Sequence, residues 1–372
     1  MKNAYIYASI LCLFLLCFSV EAPAQHNFRF SSPKTLVPAG QNPEHPDIAW
    51  DGNNFAVVYD DYYWSNNSSA VYLILVNTNG QVVKGPIKIS SKKYAFHPKI
   101  VWTGNAYGIV YGAGEKQGNV LQVKMYLARY NVAGNKLSEQ KLAGDSDYER
   151  PAQLTKLIWT GKKFGIFYTA DPNKIYTYAN ERPLFCTADS SGKPGGILQI
   201  FHYSVDAFDV AWDGKQYVVV GSDTYSGWQP EGVIQVLVLN ENGAVTKRKS
   251  VIAFAAMDYC VGASIIPLKK KNRYLLAIGN TRPTETMGPA AVQKNSDIYG
   301  SQIRLKKAGI SGLAPKNITR NEAENWINPT LIRAGNNTYM ISNSGAACSF
   351  AFARINDSGA IISTPLHYDY GG

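Results

Sequence analysis

Residues 45–61 read HPDIAWDGNNFAVVYDD, and a variant of the same line returns at 97–112 as HPKIVWTGNAYGIVYG. The polar, Gly-containing centre of each copy is turn chemistry and the apolar runs beside it are strand chemistry, so each copy predicts a hairpin. Counted from the aromatic residue after the turn, the unit recurs at Phe55, Tyr107, Phe164, Tyr217, Tyr274 and Tyr339, with spacings of 52, 57, 53, 57 and 65 residues. At a mean spacing of about 57, the chain beyond residue 24 holds roughly six units. A period near that length, built of short strands, marks a propeller and not a helical solenoid.

The first unit parses into four strands. Pro46–Trp50 and Phe55–Tyr59 flank the turn at 51–54, Val71–Val76 is the third strand, and Pro86–Ile89 is the fourth. The third strand ends at Asn77-Thr78-Asn79-Gly80, where Asn and Gly tolerate the positive φ of a tight turn. A strand with one wet face alternates, yet 55–59 and 71–76 are apolar throughout, which requires cover on both faces. Sheets stacked face to face provide that cover, and helical periodicity is absent after residue 24. Pro46, Pro98, Pro151 and Pro329 open the first strand of their units, where a missing N–H costs little. The pattern is clear at 151–161 and 209–214. The fifth unit, IIPLKKKNRYLLAIG at 265–279, has lost its Trp, and the sixth, NPTLIRAGNNTYMIS at 328–342, keeps Pro, Gly and Tyr. The expected fold is all-β: a single six-bladed β-propeller of four-stranded antiparallel blades over 25–372. Two segments compete for the last fourth-strand place, SPKTLV at 32–37 and TPLHY at 364–368.

The N-terminus is set aside from the fold. Lys2, an apolar run from Ile10 to Phe18 and Ala22-Pro23-Ala24 read as a secretory signal peptide over 1–24, cleaved near Gln25. The run is about half the ~20 residues that span a bilayer as a helix, and no later segment approaches that length. Cys17 follows Leu15-Leu16, whereas a lipobox wants a small residue before its cysteine. The expected location is secreted or periplasmic. Cys186, Cys260 and Cys348 remain beyond the leader, and spacing this wide is no disulfide framework, although one bridge is open to them; the reading adopted is three small buried apolar residues. The net charge of +10 is spread along the chain apart from Lys269-Lys270-Lys271 and Lys247-Arg248-Lys249. It favours anionic surroundings such as envelopes or acidic polysaccharides. No nucleic-acid-binding motif accompanies it.

The pattern P-x-I-x-W-x-G-x-x-[FY]-x-V-x-Y, carried by 46–59 and, with Ile109 at the Val position, by 98–111, resembles the degenerate repeat of exported bacterial β-propeller proteins. That resemblance implies architecture over nearly the whole chain and leaves activity open, since such repeats serve sugar-binding, enzymatic and scaffolding proteins. Sialidases also have six blades, but their S-x-D-x-G-x-T-W box is matched here only by the polar residues and Gly of NTNG, NVAG, DSSG, NENG and NDSG. An arginine triad is missing too, and the five-bladed glycosidases differ in blade number.

In such a fold one rim is built by the loops entering each first strand and those joining second to third strands. These segments hold the ligand-binding candidates Tyr63, Trp64, Tyr148, Tyr225, Trp228 and Trp326, and the catalytic candidates Asp147, Glu149, Asp206 and Glu324. Aromatic faces beside carboxylates suit a saccharide, and two carboxylates converging on one substrate would suit acid–base cleavage. His45 and His97 stand at equivalent places before Pro and are the candidate ligands for a divalent metal; no other cofactor is expected. No GxSxG, HExxH or phosphate-cradling loop is present. The sequence thus points to an exported binding propeller whose rim recognises carbohydrate or an envelope or extracellular protein partner. A carbohydrate-active hydrolase or lyase and an envelope scaffold are the alternatives.

Overall fold

The structure is a computed structural model that describes residues 34–63, 68–92, 94–117, 120–142, 155–170, 182–201, 205–223, 233–252, 259–281, 296–312, 316–319, 326–344, 349–363 and 366–369. The chain is an all-β, six-bladed propeller, and it divides into two compact units, Met1–His202 and Tyr203–Gly372.

In the first unit, blade one is β1 (Pro43–Trp50), β2 (Asn54–Tyr63), β3 (Ser68–Asn77) and β4 (Val82–Lys88). Blade two is β5 (Tyr94–Trp102), β6 (Tyr107–Gln117), β7 (Val120–Tyr130) and β8 (Lys136–Lys141). Blade three is β9 (Thr155–Trp159), β10 (Lys163–Ala170), β11 (Arg182–Asp189) and β12 (Pro194–Gln199). In the second unit, blade four is β13 (Val205–Trp212), β14 (Gln216–Asp223), β15 (Val233–Asn240) and β16 (Val245–Ile252). Blade five is β17 (Tyr259–Pro267), β18 (Arg273–Thr281) and β19 (Ser296–Lys306), with its fourth place shared by β20 (Gly309–Ser311) and β21 (Lys316–Asn317). Blade six is β22 (Trp326–Ala334), β23 (Asn337–Ser344), β24 (Ser349–Ile355) and β25 (Leu366–Asp369). Every blade is a meander of antiparallel strands in chain order.

The repeat motif has a direct structural cause. Trp50 lies opposite Phe55 across the first turn, with ring centroids 4.4 Å apart. Trp102–Tyr107, Trp159–Phe164 and Trp212–Tyr217 repeat the pair at 4.9, 4.8 and 4.5 Å. A cross-strand aromatic pair beside the turn fixes hairpin register, which is why W-x-G-x-x-[FY] is the part of the unit that persists. The turn between third and fourth strands is fixed by the side chain of Asn77, Asn131, Asp189, Asn240 or Asn356, whose Oδ1 accepts backbone N–H groups two and four residues on. The closing glycine, such as Gly80 at φ 71°, supplies the left-handed step.

Cover on both faces follows from stacking within each unit. Val58, Leu73 and Leu75 of blade one pack in one cluster with Ile109, Tyr111 and Ala113 of blade two, while Phe55, Val57, Tyr59 and Ile74 fill the opposite face with Leu36 and Val37. Val110 and Leu127 of blade two meet Phe164 and Ile166 of blade three. In the second unit Val218 and Val236 pack with Leu276 and Ile303, and Leu275 and Ile298 with Leu331 and Met340. By contrast β4 is almost wholly exposed. Cys186 is a free, buried cysteine whose thiol burial pushes up to about 12, so it acts as a small apolar residue; Cys348 lies outside the described residues, as does the side chain of Cys260.

Two expectations need correction, the proline placement and the register at Tyr339, and the open choice of last strand is decided. The strands are longer than the apolar runs: β1 starts at Pro43, so Pro46 stands inside a strand and not at its opening. It is tolerated because β1 bulges there, pairing Glu44 with Asp60 and then Asp47 with Val58, which leaves His45 and Pro46 opposite Tyr59 alone. Pro98 and Pro329 sit in matching bulges of β5 and β22, and Pro151 lies outside the described residues. The last fourth strand is C-terminal, since Phe350 pairs with Tyr368 and Phe352 with Leu366. The segment at 34–37 forms no ladder and contributes side-chain packing instead. In the sixth unit the ring of Tyr339 is offset by one residue, as Arg333 pairs with Thr338 and Ile332 with Tyr339.

Neighbouring blades are also joined by polar contacts. Tyr107 donates its hydroxyl to Asp51 Oδ2 at 2.6 Å, and Tyr274 donates to Asp213, the same residue of the fourth unit's W-D-G turn. At Thr103, in one of the two W-T-G turns, the next blade offers Phe164, which has no hydroxyl to place. Tyr107→Phe is therefore expected to cost about 1.5 kcal/mol in urea unfolding, the scale of a hydrogen bond to a charged group. Full stability in that variant would show the contact to be idle.

Candidate functional site

The bulge in β1 does more than accommodate proline. It swings His45 into the left-handed region at φ 48°, and the bulge in β5 does the same for His97 at φ 51°. For residues other than Gly that conformation is uncommon and costs of order 1 kcal/mol, although Asn, Asp and His adopt it more often than most. The third such position, in β22, carries Asn328 at φ 51°, the residue type that accepts it most readily. Each bulge thus turns one side chain out of the alternation of its strand.

Both imidazoles meet at one carboxylate. Asp60, near the end of β2, is only 1% exposed, and His45 Nδ1 lies 3.1 Å from each of its oxygens. Asp60 Oδ2 also accepts the backbone N–H of His97 at 2.7 Å, which fixes the carboxylate between the two blades. The His45 and His97 rings stand 3.9 Å apart, centroid to centroid, and the potential ligand atoms of His45, Asp60 and His97 all lie within 4.8 Å of one another. The corresponding place in blade two is Gly112, so the carboxylate is not part of the repeat.

Electrostatics separate the two histidines. Burial lowers the affinity of His45 for a proton, but the hydrogen bond and charge of Asp60 outweigh it and hold the group above its ordinary value. Burial is also the largest influence on His97, followed by the neighbouring His45, and together they push it down to about 4. The adjoining Asp61 is raised, first by burial and then by Asp60, against the lowering effect of the Asn42 N–H that it accepts at 2.7 Å. Tyr59, on the same strand, donates its hydroxyl to Gln41 Oε1 at 2.8 Å. The result is a polar, hydrogen-bonded cluster at the end of blades one and two where first strands begin and second strands finish.

The structure thus brings His45 and His97 together and adds Asp60. Tyr63, Asp206 and Trp326 fall within β2, β13 and β22 and not in loops, and their side chains lie outside the described residues, as do Trp64, Asp147, Tyr148, Glu149, Tyr225, Trp228 and Glu324 altogether. In the second unit a cavity of about 690 Å³ opens between the outer part of blade five and the 356–359 turn of blade six, lined by Gln302, Arg304, Lys316, Asn317 and Ser358 among others. Among the described residues that line it there is no aromatic face and no carboxylate side chain. Among the described residues no helix is long and apolar enough to cross a membrane.

Solved structures repeat this fold at low identity. Puromycin hydrolase superposes with a TM-score of 0.52 at 11% identity, over 90% of this chain and 49% of that one. The hydrazine synthase of Kuenenia stuttgartiensis gives 0.51 at 12% identity, over 86% of this chain and 79% of that one. The β-propeller domain of the Trilobed protease from Pyrococcus furiosus, at 0.47 and 14% identity over 86% and 82%, adds no weight. Likeness at these identities speaks for the fold alone. No protein-family model and no curated protein sequence matches the chain.

Proposed function

We propose that the chain is an exported binding propeller that recognises carbohydrate at the end of the blades where first strands begin. The observation that supports this reading is the hydrogen-bonded cluster of His45, Asp60, Asp61 and His97, built by two bulges at the cost of left-handed backbone. The sequence that follows, Tyr62-Tyr63-Trp64, is of the aromatic residue types on which apolar sugar faces stack, and the expected leader at 1–24 and the resemblance to exported propeller repeats give the setting. Fixed carboxylates and imidazoles then bond hydroxyl groups.

The mature chain on an array of neutral and acidic glycans is the test. Binding is expected, weakened by about 1–3 kcal/mol in at least one of Trp64→Ala, Trp228→Ala and Trp326→Ala. Silence across the array would overturn the reading. Release of reducing ends from a bound glycan would instead make the chain a hydrolase or lyase.

A further inference from the structure

We propose that His45, Asp60 and His97 form a site for one divalent transition-metal ion of the zinc type, with its remaining coordination positions open. This goes beyond carbohydrate binding and does not depend on it.

The donor set is the first argument. Two imidazoles and one carboxylate suit zinc and its first-row neighbours, whereas calcium and magnesium take mostly oxygen ligands. The second argument is conformational. Where blade six has Asn328, blades one and two both place His at the bulge position, in the left-handed region, and both rings lie beside the same carboxylate. A salt bridge alone would need one histidine, and His45 already makes it. The His97 ring adds no hydrogen bond to Asp60; its backbone N–H does that, and so orients the carboxylate as an outer-shell donor orients a ligand. The third argument is distance. Ligand atoms around a tetrahedral zinc stand about 3.3 Å apart, as bond lengths near 2.0–2.1 Å require. The trio, within 4.8 Å, reaches that by a modest closing of side chains. His45 is the more exposed member, its side chain being 45% exposed, while Asp60 is held by burial.

The test uses the untagged mature chain, stripped with chelator and titrated calorimetrically with zinc chloride. One equivalent is expected to bind, with a rise in melting temperature that grows with zinc concentration. The informative variants are His45→Asn and His97→Asn, because Asn keeps the left-handed backbone while removing the imidazole. Each is expected to weaken zinc binding about a hundredfold or more, the upper end of what losing even an outer-shell partner costs. His45→Asn, at the exposed member, decides the matter if His97→Asn does not fold. His26→Gln is the control, since His26 would stand next to the mature N-terminus and bind metal with the terminal amine. No zinc binding, undiminished binding in His45→Asn, or loss of binding in His26→Gln would each overturn the assignment.

Discussion

A chain ending at Ser363 should aggregate, and its soluble fraction should melt several degrees lower than the full chain. Removing β25 strips the ladder from Ser349 to Phe352 and leaves β24 as an unpaired edge. Phe350, Ala351 and Phe352 on that strand are buried, so the exposed edge is apolar as well as unsatisfied. Four residues of pairing at about 1 kcal/mol per net hydrogen bond suggest a loss of roughly 4 kcal/mol. Removing the N-terminal segment up to Pro38 takes away the packing of Leu36 and Val37, about 1.5–3 kcal/mol for each side chain. All six sheets then still keep their fourth-place strands. The two truncations should therefore both destabilise, but only the C-terminal one should show concentration-dependent association in light scattering. Association confined to the N-terminal truncation would contradict the strand assignment.

Asp209→Ala should be the most damaging single substitution of those considered, at about 3 kcal/mol in urea unfolding. Asp209 Oδ2 accepts the Ile265 N–H at 2.9 Å and the Ser264 hydroxyl at 3.3 Å, and Ser264 Oγ in turn accepts the Leu331 N–H at 3.0 Å. One carboxylate thus anchors a chain that joins the innermost strands of blades four, five and six. These groups are buried, and each buried donor deprived of its acceptor bears its full desolvation cost, about 1–3 kcal/mol. Asp209→Asn keeps an acceptor in the same place and should cost about half as much. A loss below about 0.5 kcal/mol in the alanine variant would show that the contact carries no stability. Asp47 makes the equivalent bond to the Ile100 N–H at 2.9 Å in the first unit.

Much of this was legible in the sequence because it is local. The Trp–[FY] pair lies across a short turn, so hairpin, period and blade number can be read from spacing alone. The stretch D-[IV]-A-W-D-G, at 47–52 and 209–214, even carries both inter-blade acceptors, Asp47 with Asp51 and Asp209 with Asp213. That signal lies in the repeated aspartates but is not local, since their donors stand a whole blade away. The bulges left no such trace. Two residues opposite one cannot be seen in an apolar pattern, and without the bulge nothing pairs Glu44 with Asp60 or brings His45 to that carboxylate. Asp60 lies beyond the apolar run 55–59 for the same reason, because β2 runs four residues past that run. Closure was undecided in sequence for another reason: 32–37 and 364–368 have similar strand chemistry, and only pairing distinguishes a ladder from side-chain packing.

Whether His45, Asp60 and His97 form one site is most directly measured by long-range ¹H–¹⁵N NMR of the imidazoles of the metal-free chain, titrated between pH 8 and 4. The geometry requires the two to part: His45 titrates above its ordinary value, held by Asp60, while His97 stays neutral until about pH 4. Asp60→Asn should then bring His45 back down. Two histidines titrating together near 6.5, or a His45 indifferent to Asp60→Asn, would contradict the account.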